Sequence, residues 1–224
     1  MRDRYPLLEE VRAALDAEGL LLRGAFHPAP EDEAPQDAAT LLMVGNAGPA
    51  MWRAFRARQK REPDPLNAWS GRVLSAIADR FGATLVFPFD GPPYAPFIAW
   101  ARKAEAVSDS PIGMLIHPEF GLWHAWRGAL AFRERLALPA ADEAASPCES
   151  CATQSCLTTC PVDAFRRGNY DVAACADHLR TEEGADCMSE GCRARRACPA
   201  GAGYGYDPMQ AHFHMRAFLK NQAP

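Results

Sequence analysis

Apolar residues recur along the chain with two different periods. From Pro6 to Glu18, Leu7, Leu8, Val11, Ala14 and Leu15 share one helical face, and Gly19 supplies a common helix stop. Residues 20–26 read as a strand, 27–38 as an exposed loop rich in proline and acid, and 40–44 as a short buried strand. Pro49 opens a helix to about Lys60. Glu62-Pro63-Asp64-Pro65 is a break, and Asp64 followed by Pro65 suits the N-cap and first position of another helix. Trp69, Val73, Ile77 and Phe81 repeat at helical spacing up to Gly82. Residues 84–89 predict a strand interrupted by Pro88, and 96–106 a short helix. Residues 112–117 and 122–132 read as an antiparallel hairpin about the turn 118–121. This order predicts an α+β layered body over residues 1–138. A charged linker at 133–145 leads into a second region, 139–224, which ends in a helix over 208–221.

Composition narrows the classes. Of 224 residues, 48% are hydrophobic and 23% charged, an ordinary globular balance. The formal net charge of −4 gives no general attraction to phosphate, so nucleic acid is not expected as a partner. The basic run Trp52–Arg61, with five basic residues in ten, reads as a solvated helix face. No run approaches the ~18 apolar residues of a membrane span, and the charged N-terminus lacks a signal peptide's apolar core. The expected setting is cytoplasmic, away from any membrane.

The cysteines change the picture. All 8 fall between Cys148 and Cys198. Clustered cysteines in a reducing compartment point to metal. The first group, Cys148, Cys151, Cys156 and Cys160, has gaps of two, four and three residues and ends in Pro161. The bacterial ferredoxin run has gaps of two, two and three, also ending in proline, and its fourth cysteine ligates the other cluster. The second group, Cys175, Cys187, Cys192 and Cys198, has gaps of eleven, four and five and ends in Pro199. On the interleaved pattern, Cys148, Cys151, Cys156 and Cys198 hold one 4Fe–4S cluster. Cys160, Cys175, Cys187 and Cys192 hold the other, with no thiol left over. Two Cys₄ zinc sites would use the same ligand number.

The segment around Cys175–Cys198 resembles the C-terminal part of epoxyqueuosine reductases, and reductive dehalogenases end in a similar two-cluster module. Residues 113–132 (GMLIHPEFGLWHAWRGALAF) resemble the hairpin of CblC-type cobalamin-processing dealkylases through Gly113, Ile116, His117, Pro118, Phe120, Gly121, Trp123, Ala125, Arg127 and Gly128. The resemblance implies a nitroreductase-related body joined to a ferredoxin-like 2x4Fe–4S module. It also implies a cobalamin-like cofactor near Ile116, His117, Gly121, Trp123 and Arg127, with flavin as the alternative.

The residues have plainer roles as well. Alternation puts Trp123, Ala125, Arg127 and Ala129 on one strand face, where Arg127 needs an anionic or polar partner. His117 and His124 suit structural hydrogen bonds. Asp90, Tyr94 and Glu119 are polar loop residues and hence candidate proton donors. The resulting expectation is an iron–sulfur, cobalamin-dependent oxidoreductase. It would take electrons from a low-potential donor such as a flavodoxin or a reductase, for a small-molecule or corrinoid substrate. A ferredoxin-type carrier without a catalytic site and a zinc-stapled binding module are the alternatives.

Overall fold

The structure is a computed structural model that describes residues 5–141, 143–166 and 169–222. Contacts divide the chain into two compact units: Met1–Ala106 with His124–Glu143, and Val107–Trp123 with Ala144–Pro224. Segment 107–123, assigned to the body by the sequence boundary at 138, therefore packs with the cysteine-bearing region.

The first unit begins with α1 (Pro6–Asp16), β1 (Leu21–Phe26), β2 (Thr40–Ala47), α2 (Ala50–Arg58), α3 (Pro65–Phe81), β3 (Thr84–Val86) and α4 (Phe97–Ala104). The second then contributes β4 (Ser108–Asp109) and β5 (Leu115–Ile116), and β6 (His124–Phe132) returns to the first. The sheet runs β1-β2-β6-β3 and every pair is antiparallel. Every residue of β2 is buried, which explains its nearly unbroken apolar sequence: a central strand covered on both faces has no solvent side to alternate with. Leu15, Phe55, Trp69, Leu74 and Trp100, from the four helices, are at most 1% exposed and complete this core.

Helix α3 starts and stops where the local signals predict. Pro65 takes the first turn, and Gly82, at φ +66°, accepts the left-handed cap that a side chain would disfavour. Asp64 precedes the helix, yet its side chain makes no capping hydrogen bond.

The expected hairpin does not form. His117 and Gly121 exchange two backbone hydrogen bonds of 2.9 Å around the predicted turn, and the pairing stops there. β5 pairs with β4, while β6 pairs with β2 on one edge and, over Ala129–Ala131, with β3 on the other. Alternation along β6 also breaks. Val44 pairs with Gly128 and Gly45 with Trp126, so Arg127 is the extra residue of a β-bulge. On the other side of β2, Leu22 pairs with Val44 and Gly24 with Met43, leaving Arg23 as a second bulge residue.

The second unit continues with α5 (Ser155–Thr158), β7 (Phe165–Arg166), β8 (Asn169–Tyr170), α6 (Val172–Leu179), α7 (Ala185–Glu190), α8 (Arg193–Arg196) and α9 (Pro208–Lys220). Its short helices pack around a small apolar cluster of Ile112, Ile116, Leu122 and Ala194, each at most 3% exposed. Asp171 and Asp207 cap α6 and α9 by accepting the backbone N–H of Ala174 and Met209.

Candidate metal centres

Two pockets of the second unit are lined by cysteine. Cys148, Cys151, Cys156 and Cys198 line the first, together with Ile116, Gln154 and Pro199. Cys160, Cys175, Cys187 and Cys192 line the second, together with Phe165, His178 and Met215. The short elements explain the grouping. Cys148 and Cys151 bracket a turn in which Cys151 N–H donates to the Cys148 carbonyl at 3.3 Å, and α5 carries Cys156. The chain then leaves with Cys160, whose Sγ accepts the Ala164 N–H at 3.3 Å, and α6 and α7 supply Cys175 and Cys187. α8 separates Cys192 from Cys198, turning the last thiol back toward the first pocket. Among the described residues no group of three or more His, Cys, Asp or Glu is arranged to hold a single metal ion.

The electrostatics follow the same division. Burial pushes the Cys148 and Cys156 thiols up, and neighbouring thiols of the first set, Cys198 foremost, add to the rise. Burial likewise raises Cys175 and Cys192, with thiols of the second set adding to it. Cys151 is the exception. It is half-buried, and a hydrogen bond from the Gln154 backbone pulls its thiol down. Four thiols, apolar walls and no competing carboxylate in either lining form a donor set suited to soft metal–sulfur chemistry. Ile112, Ile116, Leu122 and Ala194 pack against Cys148, Cys156 and Cys198 and also against Cys160 and Cys192. One buried apolar cluster thus touches thiols of both pockets.

The five residues linked to a corrin are divided between the units, with Ile116, His117, Gly121 and Trp123 in the second and Arg127 in the first. Ile116 is 1% exposed and belongs to the apolar cluster. His117 Nδ1 accepts the backbone N–H of Glu119 at 3.1 Å and of Phe120 at 3.2 Å, so it caps its own turn. Gly121, at φ +56°, lets the backbone approach residue 200: a Cβ there would lie 1.9 Å from the Ala200 carbonyl oxygen. Trp123 is buried, with its ring edge-on to Tyr206 and the Arg195 guanidinium 4.5 Å from its centroid. Arg127, in the first unit, donates to Asn67 Oδ1 at 2.7 Å and to Ser70 Oγ at 3.0 Å, which ties β6 to α3. His124 is structural too: its Nδ1 lies 3.3 Å from Arg23 Nη2. Glu119 accepts the Tyr204 hydroxyl, and Asp90 and Tyr94 are exposed.

Two features went unsignalled in the sequence. One is an open apolar cleft in the first unit, lined by Pro88, Phe97, Ile98, Arg102 and Trp126, beside which Ile98 is 53% exposed. An exposed isoleucine on a helix with an otherwise buried face was the available clue. The other is Tyr170 and His178 beside the second thiol pocket. On α2, Arg53, Arg56 and Arg58 are exposed, with Arg56 over the buried Trp52 ring and Arg58 paired with Glu18.

No family model and no curated protein sequence matches this chain. Solved structures do. An epoxyqueuosine reductase from Streptococcus thermophilus aligns over 94% of this chain and 70% of its own, with TM-score 0.54 and 14% identity. An epoxyqueuosine reductase bound to an epoxyqueuosine-modified tRNA-Tyr stem loop covers 92% of this chain and 70% of its own, with TM-score 0.52 and 15% identity. The B12-trafficking protein CblC of C. elegans covers 97% and 98%, with TM-score 0.48 and 13% identity. The fold is thus the mixed helix-and-sheet fold of epoxyqueuosine reductase. The expectation that nucleic acid is not a partner is overturned: a protein of this fold is solved with a tRNA stem loop. Net charge misled because phosphate is met by a local patch, not by the total. Among the described residues no helix is long and apolar enough to cross a membrane.

Proposed function

We propose that this chain is an iron–sulfur oxidoreductase. Its two cysteine quartets each hold a 4Fe–4S cluster, its body takes a cobalamin-like cofactor, and it works reductively on a nucleic-acid substrate. The observation that carries this reading is the sorting of eight thiols into two pockets, four and four, with Cys160 and Cys198 exchanged between their sequence groups. That exchange is the ligation habit of two-cluster ferredoxins. Zinc would draw four thiolates to about 3.8 Å from one another around one point.

Bound clusters supply one-electron transfer, and a corrin cobalt supplies the difficult reductive step. The chain's own side chains position and insulate. The apolar cluster packs against thiols of both pockets. Half-buried Cys151 marks the rim where a low-potential donor such as a flavodoxin or a reductase would meet the first pocket, while Cys187, 6% exposed, sits deep in the second. In the body, Phe97, Ile98 and Trp126 offer the cleft an apolar wall suited to a large flat ligand. Arg53 and Arg56 on α2 suit the phosphates of a stem loop. The epoxyqueuosine reductase likeness supports the reductive chemistry and the substrate class.

Anaerobic reconstitution with ferrous iron and sulfide tests the reading. The expected result is about eight irons per chain, two cubanes of four, and a reduced-cluster EPR signal after dithionite. Stoichiometric zinc uptake with no iron retained would overturn it. Titration with cob(II)alamin should change the corrin spectrum, and an unchanged spectrum at saturating protein removes the cobalamin claim.

A further inference from the structure

Besides Arg193, which lines it and donates to Asp186, the second thiol pocket has two polar neighbours with no part in the ligation. Tyr170 ends β8, stacked on Phe165 with ring centroids 4.8 Å apart, and its hydroxyl lies beside the Cys175 thiol. His178 lies three residues beyond Cys175 on α6, so both side chains leave the same helix face. It lines the pocket with Cys160, Cys175, Cys187 and Cys192. Its Nε2 is buried and has no hydrogen-bond partner. A buried ring nitrogen without a partner calls for an explanation. The other walls of this pocket include Phe165, Leu179 and Met215, so sulfur is the acceptor at hand.

This inference rests on the two-cluster reading. We propose that the Nε2–H of His178 and the hydroxyl of Tyr170 donate hydrogen bonds to sulfurs of the second cluster, and so hold its reduction potential above that of the same cluster in a purely apolar pocket. One-electron reduction adds one negative charge to a cluster whose sulfurs face these donors. Donors aimed at sulfur stabilise the reduced form more than the oxidised one. The first pocket differs. Hydroxyls also border it, with Ser146 Oγ accepting the Cys148 N–H at 3.3 Å and Thr153 Oγ1 3.8 Å from Cys151 Sγ, but among the described residues no buried imidazole lines it. The two clusters then have unequal potentials, and an electron entering at the Cys151 rim runs downhill to the second.

The test uses the full chain, reconstituted anaerobically with ferrous iron and sulfide and followed by potentiometric EPR titration, in wild type, His178→Phe, His178→Gln and Tyr170→Phe. His178→Phe and Tyr170→Phe should keep their iron and move one midpoint negative while the other stays. His178→Gln restores an N–H donor and should stay near wild type. Unmoved midpoints in either deletion variant, at full iron, would overturn the proposal. So would equal shifts in His178→Phe and His178→Gln, which would reveal a packing effect, or an iron loss in His178→Phe that His178→Gln does not repair. A wild-type chain that takes up no iron is a separate result, which refutes the two-cluster reading itself.

Discussion

Arg23 and Arg127 occupy the extra positions of two β-bulges that flank the same residue of β2, Val44, one on each neighbouring strand. Each bulge re-aims an arginine that regular alternation would have placed otherwise. Arg127 reaches α3. Arg23 reaches Glu105, with Nη2 to Oε2 at 2.9 Å and the two side chains 1% and 6% exposed.

That ion pair gives the first prediction. Burial pushes the Glu105 carboxyl up, Arg23 pulls it down, and Trp126 Nε1 donates to it at 2.7 Å. Arg23→Met leaves the carboxylate buried without its counter-charge and should cost roughly 3–5 kcal/mol. Arg23→Met with Glu105→Gln removes the stranded charge, keeps the acceptor for Trp126, and should recover much of that loss. Urea unfolding midpoints of the two variants decide the matter.

Asp32 governs part of the acid limb. Its carboxyl accepts from Lys103 Nζ at 2.5 Å and from Ala29 N–H at 2.8 Å, and the Lys103 contact foremost holds it below the usual carboxylate range. A depressed folded value means stability that is present above the unfolded value of about 3.9 and lost as pH falls through the folded one. Asp32→Asn should therefore lower stability at neutral pH and flatten its decline in acid. Thermal melts from pH 7 downward measure both effects, and parallel curves for the two proteins would contradict the assignment.

The exchanged cysteines make a pairing experiment decisive. Cys160→Ala should abolish the same EPR signal as Cys187→Ala, and Cys198→Ala the same signal as Cys148→Ala, each with loss of about half the iron. If Cys160→Ala instead matched Cys148→Ala, the ligands would follow sequence groups.

Gly121→Ala places a methyl group against the Ala200 carbonyl and a side chain at φ +56°. The backbone conformation alone costs roughly 1–2 kcal/mol. Because Ala200 follows Cys198 and Pro199, the variant should lose iron from the first pocket before the second. Iron content against temperature is the readout.

On α2, Arg53→Glu with Arg56→Glu should weaken binding of a tRNA stem loop and lower the slope of log affinity against log salt by about two. Unchanged affinity at low salt would move the nucleic-acid surface elsewhere.

What the sequence revealed follows from the range of the forces involved. The ends of α3 were legible because Pro65 and Gly82 act on their own turns. The cysteine sets were legible because ligand spacing is a local count, closed by the pairing habit of two-cluster proteins. The hairpin was not. Local alternation shows that residues 122–132 are strand, but the choice of β2 and β3 as partners is settled by burial across the unit. The role of Arg127 was hidden by its bulge, which a pattern of period two cannot register. His178 carried no signal, since a lone histidine on a helix reads the same whether it faces solvent or sulfur.

The exchange of Cys160 and Cys198 also sets an order of assembly. The ligands of the second pocket, Cys160 to Cys192, all lie within the stretch bounded by Cys156 and Cys198 of the first. The second set is an inner loop nested in an outer one. Closing the inner loop shortens the free chain between Cys156 and Cys198 and lowers the entropy cost of closing the outer. The outer set is then the last to be completed, and its completion closes the longer loop of chain.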